Sequence, residues 1–379
     1  MAGILSVTSS RADVGILAPV WYALMQTPGA ELHLFATGMH LAPDAPPLPA
    51  LPQGTHVHRG GADLGGAEPR AAAEAMGAIT ASAGRLYHEV APDAVLVMGD
   101  RLDMLPAAVA AVAFNVPLVH LHGGEVTEGA LDDRARHAIS KLAHVHCVST
   151  AGARDRLLAL GEEPWRIHQT GAPGIDTLLQ APAISRREFL DAMDFATEPD
   201  DTALRLVTVH PETNSAEPAA AFEAVLSALD AHPLPTLLTA PNRDPGGAAM
   251  LERLKHYVAT RPWARLRDTL GPFYYPNALR HADVMIGNSS SGIIEAGAVG
   301  LTVINVGDRQ KGREAGDNVI SVAADAAAIA AALDRLGARS KCYPMQTLYG
   351  DGRAGARVAA VLRRLPARDA LLRKRLTAD

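Results

Sequence analysis

Short apolar runs alternate with longer amphipathic segments along nearly the whole chain. In the first half the runs are "GILSVTS", "ELHLFAT", "DAVLVMG", "VPLVHLHG" and "VHCVST", each followed by a helix-like segment or a loop. Uninterrupted aliphatic runs of this length predict strands covered on both faces, and the helical patterns between them predict parallel pairing. The second half repeats the rhythm with "LRLVTVH", "PTLLTAP", "ARLRDTL", "DVMIGNS", "LTVINVG" and "NVISVAA". The pattern therefore predicts two doubly wound α/β units. Between them, residues 181–203 carry prolines, charges and one short helical pattern, which reads as a linker with the boundary near 180 to 200. This gives a first domain over 1–180 and a second over 200–354, followed by an arginine-rich end, "VAAVLRRLPARDALLRKRL", that predicts one or two terminal helices.

Length and composition narrow the class. A chain of 379 residues exceeds what one hydrophobic core usually serves, in keeping with two domains. With 48% hydrophobic residues, 20% charged residues and a formal net charge of −6, nothing recommends a nucleic-acid partner. Cys147 and Cys342 stand far apart without a CxxC, which argues against zinc or a disulfide framework and points to a reducing compartment, the cytoplasm. The start, "MAGILSVTSSRAD", lacks the basic and long apolar stretches of an export signal. Residues 105–124 are free of charge, but Asn115, Pro117, His120 and His122 interrupt them, so they read as a buried helix, a turn and a buried strand, and no membrane partner is expected.

In open parallel sheets ligands gather beyond the carboxyl ends of the strands, and polar clusters fall there in this sequence. "TSSRAD" at 8–13 follows the opening strand and starts a helix; Ser9 or Ser10 can cap it, while Arg11 and Asp13 are expected to reach into a cleft. "MGDRLD" at 98–103 places Asp100 beside Arg101 at a strand end, a way to hold a base next to a fixed cation. The richest stretch is "HLHGGEVTEGALDDRARH" at 120–137, with three histidines, four carboxylates and two arginines around a Gly-Gly turn. His120 and His122 are expected to alternate onto one face of a strand, and Asp132 and Arg136, four apart on a helix, to pair. Competing arginines make a metal cage a poor reading, whereas clustered ionisable groups suit acid/base work.

In the second half, "TVHPET" at 208–213 ends a strand in His210, which suits a structural role as well as a functional one. "GNSSSGIIEAGAVG" at 287–300 runs from a strand through Asn288 and serines into a helix; its hydroxyl and N–H groups suit a diphosphate, and Glu295 suits a ribose diol. The plainer alternative is a serine cap with a helix-face glutamate. Arg309, Lys311 and Arg313 in "VGDRQKGREAGDN" suit phosphate neutralisation. Neither the dinucleotide fingerprint GxGxxG nor the P-loop pattern is present, so a tightly held nicotinamide is not indicated.

Taken in order, "TSSRADVGILAP", "GDRLDML", "HLHGGEVTEGALDDRARHAISKLAHVH", "GAPGIDTL", "HPET", "PNRDPGG", "GNSSSGIIEA" and "INVGDRQKGRE" resemble the hydrolysing UDP-N-acetylglucosamine 2-epimerases over roughly residues 5 to 320. The resemblance implies a GT-B fold: two Rossmann-like doubly wound domains, the active-site cleft between them, and a terminal helix at about 355–379 crossing back to the first domain. It also implies elimination of UDP to a 2-acetamidoglucal-type intermediate, then addition of water to give N-acetylmannosamine, without redox cofactor or metal. By motif it marks Asp100, Asp132, Arg136 and His210 as catalytic, with Glu125 or His122 as a further acid/base. Arg11, Asp13, His40, Arg101, Ser289, Ser290, Glu295 and Arg309 are marked as substrate-binding. One departure is that His122 stands where some relatives carry a glutamate. A homodimer or homotetramer is implied, as are two alternative substrates: UDP-N-acetylglucosamine towards sialic acids and UDP-diacetylbacillosamine towards legionaminic-type sugars. The rivals are a non-hydrolysing 2-epimerase, a GT-B glycosyltransferase and a UDP-sugar sensor without catalysis.

Overall fold

Parallel strands flanked by helices make up both halves of the chain in the computed structural model, which describes residues 3–43, 45–64, 68–242, 245–337 and 343–377. Cys342 and the Arg243–Asp244 pair of "PNRDPGG" lie outside the described residues. The first unit comprises Met1–Glu125, Asp132–Thr177 and Tyr349–Asp379; the second comprises Val126–Leu131 and Leu178–Leu348.

The first unit contains β1 (Gly3–Thr8), β2 (Glu31–Ala36), β3 (His56–Arg59), β4 (Ala94–Met98), β5 (Leu118–Leu121), β6 (Val145–Val148) and β7 (Ile167–Gln169). They form one parallel sheet in the order β3-β2-β1-β4-β5-β6-β7. Its inner strands β1, β4, β5 and β6 are largely buried because both faces are covered. Along β4, Ala94, Leu96 and Met98 enter one core with Leu17, Trp21 and Val358, while Val95 and Val97 enter another with Ile79, Ala107 and Ile139. The period of two thus feeds two cores from one strand.

The second unit contains β8 (Arg205–Thr208), β9 (Thr236–Thr239), β10 (Ala264–Arg267), β11 (Val284–Gly287), β12 (Thr302–Val306) and β13 (Val319–Val322). Its sheet is again parallel, in the order β10-β9-β8-β11-β12-β13. In each sheet the chain winds outward from its first strand, then returns to that strand's other side. The reversal falls between β1 and β4 in one unit and between β8 and β11 in the other. Such switch points are where diverging loops leave a crevice for ligands.

Residues 181–203, expected as a linker, fall within the second unit. The helix Arg186–Ala192 starts with a reciprocal Ser185–Glu188 capping box and buries Phe189 and Leu190. Arg186 fixes it further through Asp283 and the carbonyls of Thr202 and His281. The short helical pattern read in this stretch is thus a helix anchored by partners distant in sequence. Residues 126–131 also belong to the second unit, where Glu128 N–H donates to the Lys311 carbonyl at 3.1 Å and Asn214 donates to the Glu128 carbonyl at 3.0 Å.

At the end of the chain, the helix Ala354–Arg363 packs on the helix Arg11–Met25 in the first unit. Gly355 permits this approach, since a Cβ there would stand 2.6 Å from the Pro19 carbonyl carbon. Asp176 caps its start, accepting from the N–H groups of Ala354 and Gly355 at 2.9 and 2.8 Å. No described helix is long and apolar enough to cross a membrane.

Candidate active site

Around the first switch point, one carboxylate organises the loop after β1. Ser10 caps the helix Arg11–Met25, and Asp13 completes a capping box. The buried Asp13 Oδ2 accepts from Ser9 N, Ser9 Oγ and Ser10 N at 2.8, 2.9 and 2.8 Å. This carboxylate is committed to holding the loop, while Arg11 is exposed. Across the switch point, Arg101 donates to Ser9 Oγ at 3.1 Å and forks onto both oxygens of Asp103 at 3.2 and 3.1 Å. Burial opposes the Arg101 charge, but Asp103 and Asp13 outweigh it and raise the guanidinium pKa. His40 is buried beside the same loop with Nε2 3.0 Å from Thr8 Oγ1, and burial lowers its pKa.

The second element is the turn after β5. The strand ends at Leu121 and His122 adopts a φ of 60°, so the expected alternation of His120 and His122 on one face stops one residue short. His120 is a satisfied core histidine: Nε2 lies 2.8 Å from the Gly99 carbonyl and Nδ1 3.2 Å from Ser140 Oγ. Burial pushes its pKa down to about 3. The Gly-Gly pair has a steric reason. A Cβ on Gly123 would meet His120 Nδ1 at 2.9 Å, and one on Gly124, whose φ is 76°, would meet the Ala153 carbonyl oxygen at 2.2 Å. The turn returns Glu125 beneath His122, with Nδ1 to Oε1 2.6 Å, and Ser149 Oγ donates to the same oxygen at 2.6 Å.

The helix Asp132–Leu142 supplies the third element. Arg136, 1% exposed in its side chain, donates to Asp133 Oδ1 at 2.6 Å and forms a second ion pair with Asp100. Asp133, three residues before Arg136 on the same helix, thus joins Asp132 in acting on this guanidinium. Burial works against the Arg136 charge, and Asp100, Glu125, Asp133 and Asp132 together reverse that and raise its pKa. A single buried cation therefore gathers the carboxylates of two sequence clusters.

Around the switch point of the second sheet the chemistry is different. His210 N–H donates to Asn288 Oδ1 at 2.7 Å, and Asn288 Nδ2 donates back to the His210 carbonyl at 2.9 Å, clamping the ends of β8 and β11 together. His210 Nδ1 accepts from Asn242 N–H at 3.1 Å. Burial and the Arg309 charge push the His210 pKa down to about 3. The ring is therefore neutral with its proton on Nε2, a hydrogen-bond donor at neutral pH rather than a base.

Ser289 caps the short helix Ser290–Ile294, which ends at Glu295, and Tyr275 donates to Ser291 Oγ at 2.5 Å. The Asn288 carbonyl accepts from Gln310 Nε2 at 2.9 Å and Arg309 Nη1 at 3.3 Å. Glu212, whose pKa burial raises, accepts from the backbone N–H groups of Arg309 and Asp308. Sequence reading passed over Glu212, Ser149, Asp103 and Gln310 because single polar residues at strand ends look like ordinary caps. Their signal was position, each lying in or beside a strand-end cluster already singled out. Among the described residues, no group of three or more His, Cys, Asp or Glu side chains is arranged to hold a metal ion.

The family description UDP-N-acetylglucosamine 2-epimerase matches residues 22–363 of this chain. The chain belongs to that family. Among 2-epimerases, it is 36% identical to the UDP-N,N'-diacetylbacillosamine 2-epimerase (hydrolyzing) of Legionella pneumophila, over 98% of each chain. It is 31% identical to the UDP-N-acetylglucosamine 2-epimerase of Neisseria meningitidis serogroup B, over 84% of this chain and 83% of the other. The solved structure of the Neisseria meningitidis UDP-GlcNAc 2-epimerase bound to UDP-GlcNAc shares the fold, with a TM-score of 0.77 at 18% identity, covering 96% of this chain and all of that one (100%).

Proposed function

We propose that this protein is a hydrolysing 2-epimerase that converts a UDP-linked 2-acetamido sugar and water into UDP and the free, C2-inverted sugar. The observation that carries the reading is the match at 36% identity along 98% of both chains to an enzyme of that activity. UDP-N,N'-diacetylbacillosamine is the first substrate to test and UDP-N-acetylglucosamine the second. The sequence alone placed them in the opposite order; the two relatives act one on each.

The chemistry asks for a base at the weakly acidic C2–H, charge stabilisation for the departing diphosphate and an acid for the return step. We assign proton transfer to the first unit, where Asp100, Asp132 and the His122–Glu125 pair surround Arg136, and sugar positioning to Arg11, Asp13, His40 and Arg101. We assign the nucleotide to the second unit. His210 Nε2–H and the Arg309 guanidinium serve the diphosphate there, with Ser289 and Ser290 beside them and Glu295 on the ribose. No redox cofactor is required, because the C2–H electron pair becomes the C1–C2 double bond while the C1–O pair leaves with the diphosphate, and hydration then returns a proton to C2 and adds hydroxyl at C1. The cytoplasm and a homodimer or homotetramer are the expected setting.

The test is NMR in deuterated water with each UDP-sugar in turn. Free sugar carrying deuterium at C2, formed with one equivalent of UDP, is expected. A UDP-linked epimer would identify the non-hydrolysing reaction instead, a requirement for an acceptor would identify a glycosyltransferase, and retained C2 hydrogen in the product would remove the elimination step.

A further inference from the structure

Resting on the reading above, we infer that His122 is the base that takes the C2 proton and that Glu125 and Ser149 are its positioning residues. Glu125 Oε1 is engaged by His122 Nδ1 and by Ser149 Oγ, both at 2.6 Å, and the carboxyl group is buried. A carboxylate that accepts from a hydroxyl and an imidazole fixes the imidazole proton on Nδ1, which leaves Nε2 as a bare lone pair. That Nε2 is buried and has no hydrogen-bond partner. An unpartnered buried acceptor is costly and uncommon in a folded protein unless it is used.

The backbone makes the same point independently. His122 is a non-glycine residue in the left-handed region, at a φ of 60°, in the turn that follows β5. Its conformation is held by its own N–H, which donates to the Cys147 carbonyl at 3.1 Å, and by the packed Gly123–Gly124 pair. Ser149 stands just past β6, the neighbour of β5 in the sheet, so both partners of Glu125 come from adjacent strand ends. This is the order nucleophile-free enzymes share with catalytic triads: a base, an orienting carboxylate and a group that orients the carboxylate. The other titratable groups acting on this pair are the His120 ring, on His122, and Arg136 with Asp100 behind it, on Glu125.

In the proposed step the C2–H bond breaks towards Nε2 and its electron pair forms the C1–C2 double bond. The C1–O bond breaks with its electrons on the departing UDP. Glu125 then stabilises the imidazolium that has formed.

The first measurement is the tautomer in the wild-type protein, read from nitrogen-15 shifts of the His122 ring. Protonated Nδ1 and bare Nε2 are expected; protonated Nε2 with bare Nδ1 would overturn the proposal before any variant is made. The second is kinetic. His122→Gln should lower kcat by about 10²–10⁴-fold, the range of a lost general acid/base, with KM little changed. Glu125→Gln should lower kcat by less than His122→Gln does, with KM little changed, and should reduce the fraction of the ring protonated on Nδ1 in the nitrogen-15 spectrum, because the orienting carboxylate is gone. Ser149→Ala should give smaller changes in the same two readouts. His122→Gln within threefold of wild type, or Glu125→Gln inactive while His122→Gln is not, would overturn it. If the wild-type protein releases no sugar from any UDP-sugar, the functional reading itself fails, and the catalytic role falls with it even if the tautomer is as expected.

Discussion

The two sheets share one winding order and carry opposite kinds of chemistry at their switch points. Around the first, a buried arginine draws in Asp100 and Asp133, and an imidazole leans on a buried glutamate. Around the second, the polar groups are mostly neutral and clamp one another: Asn288 with His210, Gln310 with the Asn288 carbonyl, Tyr275 with Ser291. A parallel sheet fixes where functional groups stand, not what they are. Proton transfer calls for groups that change charge, whereas holding a nucleotide calls for donors that do not.

The sharpest way to break this contrast is to remove the cation from the first edge. Arg136→Met keeps the stem and leaves the carboxylates of Asp100 and Asp133 without their shared partner. Breaking a buried pair by deleting one member costs about 3–5 kcal/mol, so thermal unfolding should show a large loss of stability together with loss of turnover. Unchanged stability would mean that water satisfies those carboxylates and that Arg136 does not organise the edge.

On the second edge the corresponding change should be milder. Loss of one hydrogen bond to a charged oxygen is worth about 1.5–3 kcal/mol, so His210→Ala should reduce kcat/KM by about 10–150-fold. His210→Gln, which can still offer an N–H, should recover part of this. A near-neutral limb in the wild-type pH profile that disappeared in the alanine variant would contradict the assignment of His210 as a fixed donor.

Two glycines sharpen the comparison sterically. Gly287, at the end of β11, has a φ of 141°, and a Cβ there would stand 2.0 Å from the Thr208 carbonyl oxygen. Gly99, which follows β4, has a φ of 72° with nothing within 4 Å of its would-be Cβ. Gly99→Ala should therefore carry only the left-handed penalty, about 1–2 kcal/mol. Gly287→Ala should carry backbone strain and a collision together, and exceed it in chemical denaturation. Equal losses would show that the ends of β8 and β11 can separate at little cost.

Much of this organisation was readable in the residues. Buried parallel strands are continuous apolar runs, so β1, β2, β4, β5, β6 and all six strands of the second sheet stood out. The two edge strands of the first sheet did not. In β3, His56–Arg59 is mostly exposed and has no apolar period, and β7 is only three residues long. The strand-end clusters were visible because charge seldom follows an apolar run by accident. Invisible in the sequence were the partners: Asp133 at Nη1 of Arg136, Ser149 on Glu125, and Glu212 under the Arg309 loop. Pairing depends on rotamers and on loops brought together by the sheet, and one-dimensional spacing contains neither. The helix at 186–192 was missed as part of the second unit for the related reason that its arginines are satisfied by distant carbonyls.

The smallest effect expected separates two histidines of similar pKa. His120 lies inside the first sheet and is fully buried, while His210 ends β8 and is partly exposed; burial pushes both down to about 3. An unfolded histidine titrates near 6.5. Between these values the unfolded chain binds a proton that the folded chain does not, so stability is complete above about 6.5 and falls as the pH drops towards 3. One such group contributes a slope of up to about 1.4 kcal/mol per pH unit. His120→Gln should flatten the acid side of a urea-denaturation series between pH 4.5 and 6.5 by nearly that amount. His210→Gln should flatten it less, because solvent reaches the ring and lessens the penalty for charging it. A larger change for His210 would mean that the second edge, and not the interior of the first sheet, is the acid-sensitive part of the molecule.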